Sequence, residues 1–208
     1  MNIVVPILAL STATFMMVTL PTFLRNILPR LGSRVQYRDG LYYVSVRNAG
    51  EWHEIREFVT PHAPEVQALY SQIGPSIDGC LQWVCSQVEY RYDIGEFFQF
   101  PVETIITRRG DCEDSAILLA SLLKNFSNAY VVLGSLRGWG HAWVTTGGGE
   151  ILEATYVAAR AVPDPDNYKG LVAFNDAEVI ELWPGALSEV FNVRRNEEVK
   201  LNLMAAAT

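Results

Sequence analysis

Cys112, His141 and Glu153 are the residues of this 208-residue chain whose types and order could do covalent chemistry. A cysteine attacks a carbonyl carbon as its thiolate, and a thiol in the first turn of a helix meets the positive end of the helix dipole, which favours that anion. Asp111 is a good residue to open such a helix, and the amides of the same turn could donate to an oxyanion. The proton needs a base. Of the three histidines, His141 is the best placed, because it follows Gly138-Trp139-Gly140 and enters the β-rich run Ala142-Trp143-Val144-Thr145. His53, in a polar stretch that reads as helical, and His62, between two prolines, read as solvated surface residues. A third group must fix the imidazole tautomer. If the turn around Gly147 and Gly148 closes a hairpin, Glu153 falls opposite or diagonal to His141. A lone cysteine is more often a packing thiol, and Glu153 alone could be an ordinary strand carboxylate; the combination is what points to nucleophilic catalysis.

The elements that must position these groups are legible in outline. Ala116, Ile117, Leu118, Leu119, Ala120, Leu122 and Leu123 follow Cys112 as a run apolar on nearly every face, the pattern of a central buried helix. Beyond it, Tyr130–Leu133, Ala142–Thr145 and Ile151–Leu152 are short β-rich runs that read as an antiparallel meander, and a further strand is expected over 178–182. Upstream, Leu41–Val46 reads as a strand after the Asp39-Gly40 turn. Glu51–Phe58 and Pro64–Ile73 read as short helices. Ser76 can cap a longer helix, with Ile77, Cys80, Leu81, Val84 and Val88 on one face, ending near Tyr90. Residues 93–109 read as a loop whose Phe97, Phe98 and Phe100 wall something, and the segment past Tyr156 reads as a Pro- and Asp-rich loop.

Bulk composition narrows the field. Half the residues are hydrophobic, enough for one ordinary core, and the net charge of -7 offers no basic surface for nucleic acid. The three cysteines, Cys80, Cys85 and Cys112, contain no CxxC pair, and Cys80 and Cys85 lie about 140° apart around one helix, too divergent to bridge. Both read as packing residues. No metal site is expected, and the chemistry requires no cofactor. From Met1 to Leu24 there is no charged side chain, so this stretch reads as a transmembrane or signal-like helix. Arg25, Arg30, Arg34 and Arg38 after it favour a membrane-anchored chain with its globular part in the cytoplasm; export through a signal peptide is the alternative.

Four ordered segments carry a resemblance. Phe100-Pro101-Val102-Glu103-Thr104, Gly110-Asp111-Cys112-Glu113-Asp114-Ser115-Ala116, Gly140-His141-Ala142-Trp143-Val144 and Leu152-Glu153-Ala154-Thr155 resemble the bacterial and archaeal transglutaminase-like cysteine proteins over residues 76–160. The resemblance implies an α+β, papain-like fold in which the cysteine begins a central helix packed on an antiparallel sheet bearing the histidine and the acid. It implies a thiol peptidase or amidase acting on protein or peptide amides, with Cys112 as nucleophile, His141 as base and Glu153 where many relatives have aspartate. Asp111, Asp114 and Trp143 are expected to support the motif, and Gln99 to offer an oxyanion donor. A glutamine acyltransferase with the same triad, or a non-catalytic membrane-tethered binding protein, are the competing readings. The expected organisation is a transmembrane or signal-like segment over 1–25, an extension over 26–75, a catalytic domain over 76–195 and a tail over 196–208.

Overall fold

The computed structural model describes residues 34–48, 50–93 and 95–192. The expected apolar span over 1–25 and the tail over 196–208 lie outside the described residues; among these, no helix is long and apolar enough to cross a membrane. The chain divides at Arg34 and Val35 into two units, and residues 35–75 belong to the same unit as the rest of the described fold.

The core is built on a helix, α4 (Cys112–Leu123), in which every residue is buried. Burial on all sides is what its nearly continuous apolar sequence demands, and each fully buried Leu or Ile there contributes roughly 1.5–3 kcal/mol. One side of α4 packs on the strands β6 (Ala129–Leu136) and β7 (Trp139–Thr146). Helices α1 (Pro64–Ile73), α2 (Ile77–Gln87) and α3 (Pro101–Thr107) pack elsewhere on it. Ser76 caps α2 by accepting from the Gly79 amide, as its sequence position suggests, and Cys80 and Cys85 are both buried free thiols.

The main sheet has the order β10-β9-β6-β7-β8, with β8 (Ile151–Leu152), β9 (Tyr168–Phe174) and β10 (Val179–Glu181), and all of its pairings are antiparallel. Arg137 and Gly138, both at positive φ, make the two-residue hairpin that joins β6 to β7, a turn that suits the right-handed twist of the strands. A small sheet of β1 (Val35–Arg38), β2 (Leu41–Val44) and β3 (His53–Glu54) stands apart from it, and β4 (Glu89–Tyr90) runs parallel to β5 (Arg109–Gly110) just before α4.

Four expectations change. Residues 51–58 are not an α-helix but β3 followed by a 3-10 turn over Ile55–Phe58, because the backbone of His53 and Glu54 is taken by β2. His53 is accordingly no free surface residue: it bonds Glu51 at 2.8 Å and meets Phe58 and Phe100 edge-on. The loop over 93–109 contains α3, started by Pro101 and held by Glu103, whose carboxylate accepts from the Phe100 amide and pairs with both ends of the Arg47 guanidinium. Two of its phenylalanines serve the core: Phe98 packs on Phe58 and Phe191, and Phe100 stacks on Phe58, whereas Phe97 lies under the Arg47 guanidinium and lines a cavity with Asp93 and Gln99. Past Tyr156, the loop gives way to the strand β9, which lies next to β6 in the sheet.

Candidate active site

Gly110-Asp111-Cys112-Glu113-Asp114 forms a strand end, a helix cap and a first helical turn. Asp111 caps α4 with Oδ1, accepting from the amides of Glu113 (3.1 Å) and Asp114 (3.5 Å), and Asp114 Oδ2 accepts in return from the Asp111 amide at 3.2 Å. This reciprocal cap brings the Asp114 side chain over Gly110, where a Cβ would lie 2.5 Å from Asp114 Cβ. The glycine of the motif is therefore set by space. Gln99 completes the underside: its amide N donates to Asp114 Oδ1 at 2.8 Å and its side-chain Nε2 to Asp114 Oδ2 at 2.6 Å. The structure thus ties Gln99 to Asp114 through both its backbone and its side-chain amide. Burial and the Asp111 carboxylate push Asp114 well above the usual carboxylate range, while its bonds from Gln99 and Asp111 pull the other way.

Cys112 occupies the first position of α4 and is 7% exposed. His141, on β7, interacts with its side chain. The other end of the imidazole is held by Glu153, with Nε2 2.7 Å from Oε2, which leaves Nδ1 for the thiol. In the β7–β8 register, Val144 faces Leu152 and Thr145 faces Ile151. Continuing it by one residue sets Glu153 across from Trp143 and diagonal to His141. Ala142 and Val144 point to the α4 side, and Trp143 points to a separate cluster with Val132 and Tyr168, as strand alternation requires.

Electrostatics bind the three groups together. Burial alone would hold His141 down as the neutral ring; the hydrogen bonds and negative charges of Cys112 and Glu153 outweigh it and raise the imidazole to about 10. Burial likewise pushes Glu153 up, but the His141 bond and charge and two donors from Thr155 reverse this and leave the carboxyl below its usual range. Glu153 is 1% exposed, so these partners replace its water. Thr155 donates its amide (3.0 Å) and hydroxyl (2.6 Å) to Oε1, and the Tyr168 hydroxyl donates to Oε2 at 2.8 Å.

Two contacts were not legible beforehand. Glu113, buried beside Cys112, accepts from its thiol with Oε2 2.6 Å from Sγ. Two bare anions at that distance would repel, so at least one proton sits between them whenever the contact is made. Tyr168 belongs to the segment read as a loop; the Val172, Ala173 and Phe174 run at its end was the available sign of a strand. Donor atoms of Asp111, Cys112 and Glu113 lie within 4.8 Å of one another, and they serve the cap and the thiol contact just described. A groove of about 500 Å³, lined among others by Tyr90, Arg108, Arg109, Thr155 and Tyr156, adjoins the segment that follows Glu153.

No family model matches the sequence, and no curated relative matches it. Among solved structures, the EGTA-treated LapG of Legionella pneumophila is similar with a TM-score of 0.46 and 17% identity over 58% of this chain and 75% of that one. Calcium-bound LapG gives 0.43 and 17%, over 64% of this chain and 98% of that one. A Cytophaga hutchinsonii protein, provisionally assigned as a cysteine protease, gives 0.41 and 22%, over 56% and 45%. These values mark a distant likeness in the course of the backbone, from which no property of the chain is drawn.

Proposed function

We propose that this chain is a transglutaminase-like cysteine peptidase or amidase with a papain-like arrangement of its site, in which Cys112 attacks an amide carbonyl, His141 moves the proton and Glu153 orients His141. The observation that carries the reading is the grouping of a thiol at the start of the central helix, an imidazole on β7 whose charge it supports, and a buried carboxylate after β8 bonded to that imidazole at 2.7 Å. The groups are of the kinds, and in the order, that thiol catalysis needs.

In this mechanism, the thiol proton already rests on His141, whose imidazole is held up to about 10, and Cys112 Sγ adds to the carbonyl carbon as the thiolate of that ion pair. The amides of Glu113 and Asp114 are taken by Asp111 Oδ1, and that of Ser115 by the Asp111 carbonyl, so the Cys112 N–H is the first-turn donor assigned to the oxyanion. The imidazolium, paired with Glu153, gives its proton to the leaving amine. Water then attacks the thioester, with His141 as base, and releases the acid and the free thiol.

Iodoacetamide labelling of the folded protein tests the reading. Burial raises Cys80 and Cys85 to about 11, so near neutral pH the label is expected on Cys112 alone, and His141→Ala is expected to slow it. Equal labelling of the three thiols would overturn the assignment. Incubating peptides with and without a primary amine, and weighing the products, separates hydrolysis from acyl transfer.

A further inference from the structure

We infer that Tyr168 is a positioning residue, whose hydroxyl aims the Glu153 carboxylate at His141 and thereby sets the protonation of the Cys112–His141 pair. The inference deepens the cysteine chemistry proposed above and rests on it.

A glutamate has one more rotatable bond than the aspartate that would suffice in this place, so its head must be held from several sides if it is to act as a fixed orienter. Glu153 is held from both. Thr155 fills Oε1 with two donors, and Tyr168 fills the second acceptor site of Oε2, the oxygen that meets His141. The Tyr168–Glu153 bond is fully buried, where a hydrogen bond to a charged acceptor is strong and its loss is not repaired by water. Tyr168 is itself fixed: its ring meets Trp143 edge-on at 5.2 Å and lies 6.0 Å from His141, and its hydroxyl also engages Tyr156.

The sheet leaves room for this reach. His141 pairs with Gly134, which pairs with Gly170, so the two positions beside His141 across β6 and β9 carry no side chain. The groups facing His141 are Cys112 from α4, Glu153 after β8, Trp143 from its own strand and Tyr168 from β9; behind them, Glu113 touches the thiol and Tyr156 the phenol. Among these, Tyr168 is the neutral donor that shares an oxygen with the imidazole.

The test is Tyr168→Phe in the full chain, which keeps the ring and removes the hydroxyl. Two readouts are followed with pH: the His141 imidazole by nitrogen-15 NMR, and the alkylation rate of Cys112. A loosened carboxylate holds the imidazolium less firmly, so the His141 midpoint is expected to fall by about one unit, roughly tenfold in the imidazolium equilibrium, with slower alkylation near neutrality. Tyr156→Phe, which removes the partner of the phenol, is expected to shift the midpoint less and in the same direction, and it serves if Tyr168→Phe does not fold. A purely structural role would lower the melting temperature and leave the midpoint in place, and that result overturns the inference. So does a raised midpoint, which would mean that the phenol dilutes the carboxylate charge instead of aiming it. Wild-type labelling separates the two layers: failure of Cys112 to react selectively sinks the catalytic reading, whereas selective reaction with an unmoved Tyr168→Phe profile sinks this inference alone.

Discussion

Replacing Glu153 by Gln removes a charge and keeps a shape, and the surrounding bonds dictate how the amide must turn. Oε1 receives a backbone N–H and a hydroxyl from Thr155; Oε2 receives the Tyr168 hydroxyl and the His141 Nε2. The backbone N–H cannot turn away, whereas a phenol can rotate to accept. The glutamine oxygen is therefore drawn to the Thr155 side, and its NH2 group faces His141. A nitrogen facing a donor must be bare, so the ring proton moves to Nδ1, the atom that should receive the thiol proton. With the carboxylate gone, the burial that lowers His141 is opposed by Cys112 alone, and the imidazole falls from about 10 toward its ordinary 6.5 or below. A shift of about 3.5 units is about 5 kcal/mol lost from the charged pair. The equivalent acid-to-amide exchange in a hydrolase triad costs on the order of 10⁴ in turnover, through the same tautomer. Alkylation of Cys112 near neutral pH should slow by on the order of a hundredfold or more. The assay is peptide-resolved iodoacetamide labelling as a function of pH, with Cys80 and Cys85 as internal references. A Glu153→Gln profile that superimposes on the wild type would refute both the tautomer argument and the role given to Glu153.

Further outcomes follow from the same contacts. Glu113→Gln removes a negative charge 2.6 Å from Sγ and should speed alkylation of Cys112 at neutral pH, read in the same labelling series; an unchanged or slower rate would mean that the contact does not hold back the thiolate. Because the folded value of His141 is raised, the stability it contributes is fully present below about 6.5 and is lost as pH rises through about 10, up to about 5 kcal/mol at about 1.4 kcal/mol per unit. Urea unfolding should show that decline across the neutral-to-alkaline range in the wild type and a flatter profile in His141→Ala. Gly110→Ala drives a Cβ to 2.5 Å from Asp114 Cβ and should cost roughly 1–3 kcal/mol in chemical denaturation by displacing the cap of α4.

What could be read from sequence is what is fixed locally. The start of α4 was legible because an N-cap aspartate and an apolar run announce a buried helix without help from the rest of the chain. The β6–β7–β8 meander was legible from its turns, and with it that His141 and Glu153 lie opposite or diagonal; the register makes the relation diagonal. The helix α3 was hidden because seven residues carry too little periodicity; its stability comes from Glu103 bonding Phe100 and Arg47, a partner far back in the chain. The strand β9 was hidden because Lys169 and Gly170 interrupt its apolar pattern, and because it owes its place to pairing with β6 across a bulge between Leu133 and Gly134. Tyr168 went unseen with it. The residues proposed to carry chemistry could therefore be picked out locally, while Tyr168, proposed to brace one of them, depended on a tertiary pairing that no local pattern encodes.

That dependence can be measured at Gly134. A Cβ there would lie 2.1 Å from the Lys169 carbonyl oxygen and 2.9 Å from Gly170 Cα, and both obstacles are backbone, so Gly134→Ala must push β9 away from β6. Lys169 is the residue next to Tyr168, and the displacement is passed straight to the phenol that holds Glu153. Overpacking of this kind costs roughly 1–3 kcal/mol. Gly110→Ala offers a comparison of similar severity at the other end of the site, since it strikes the cap of α4 and leaves β9 alone. If bracing by β9 controls the imidazole, Gly134→Ala should lower both the melting temperature and the His141 midpoint, whereas Gly110→Ala should lower the melting temperature with a smaller change in that midpoint. Equal midpoints in Gly134→Ala and the wild type, in a protein shown by its melt to be strained, would detach the strand pairing from the chemistry and leave β9 a purely architectural element.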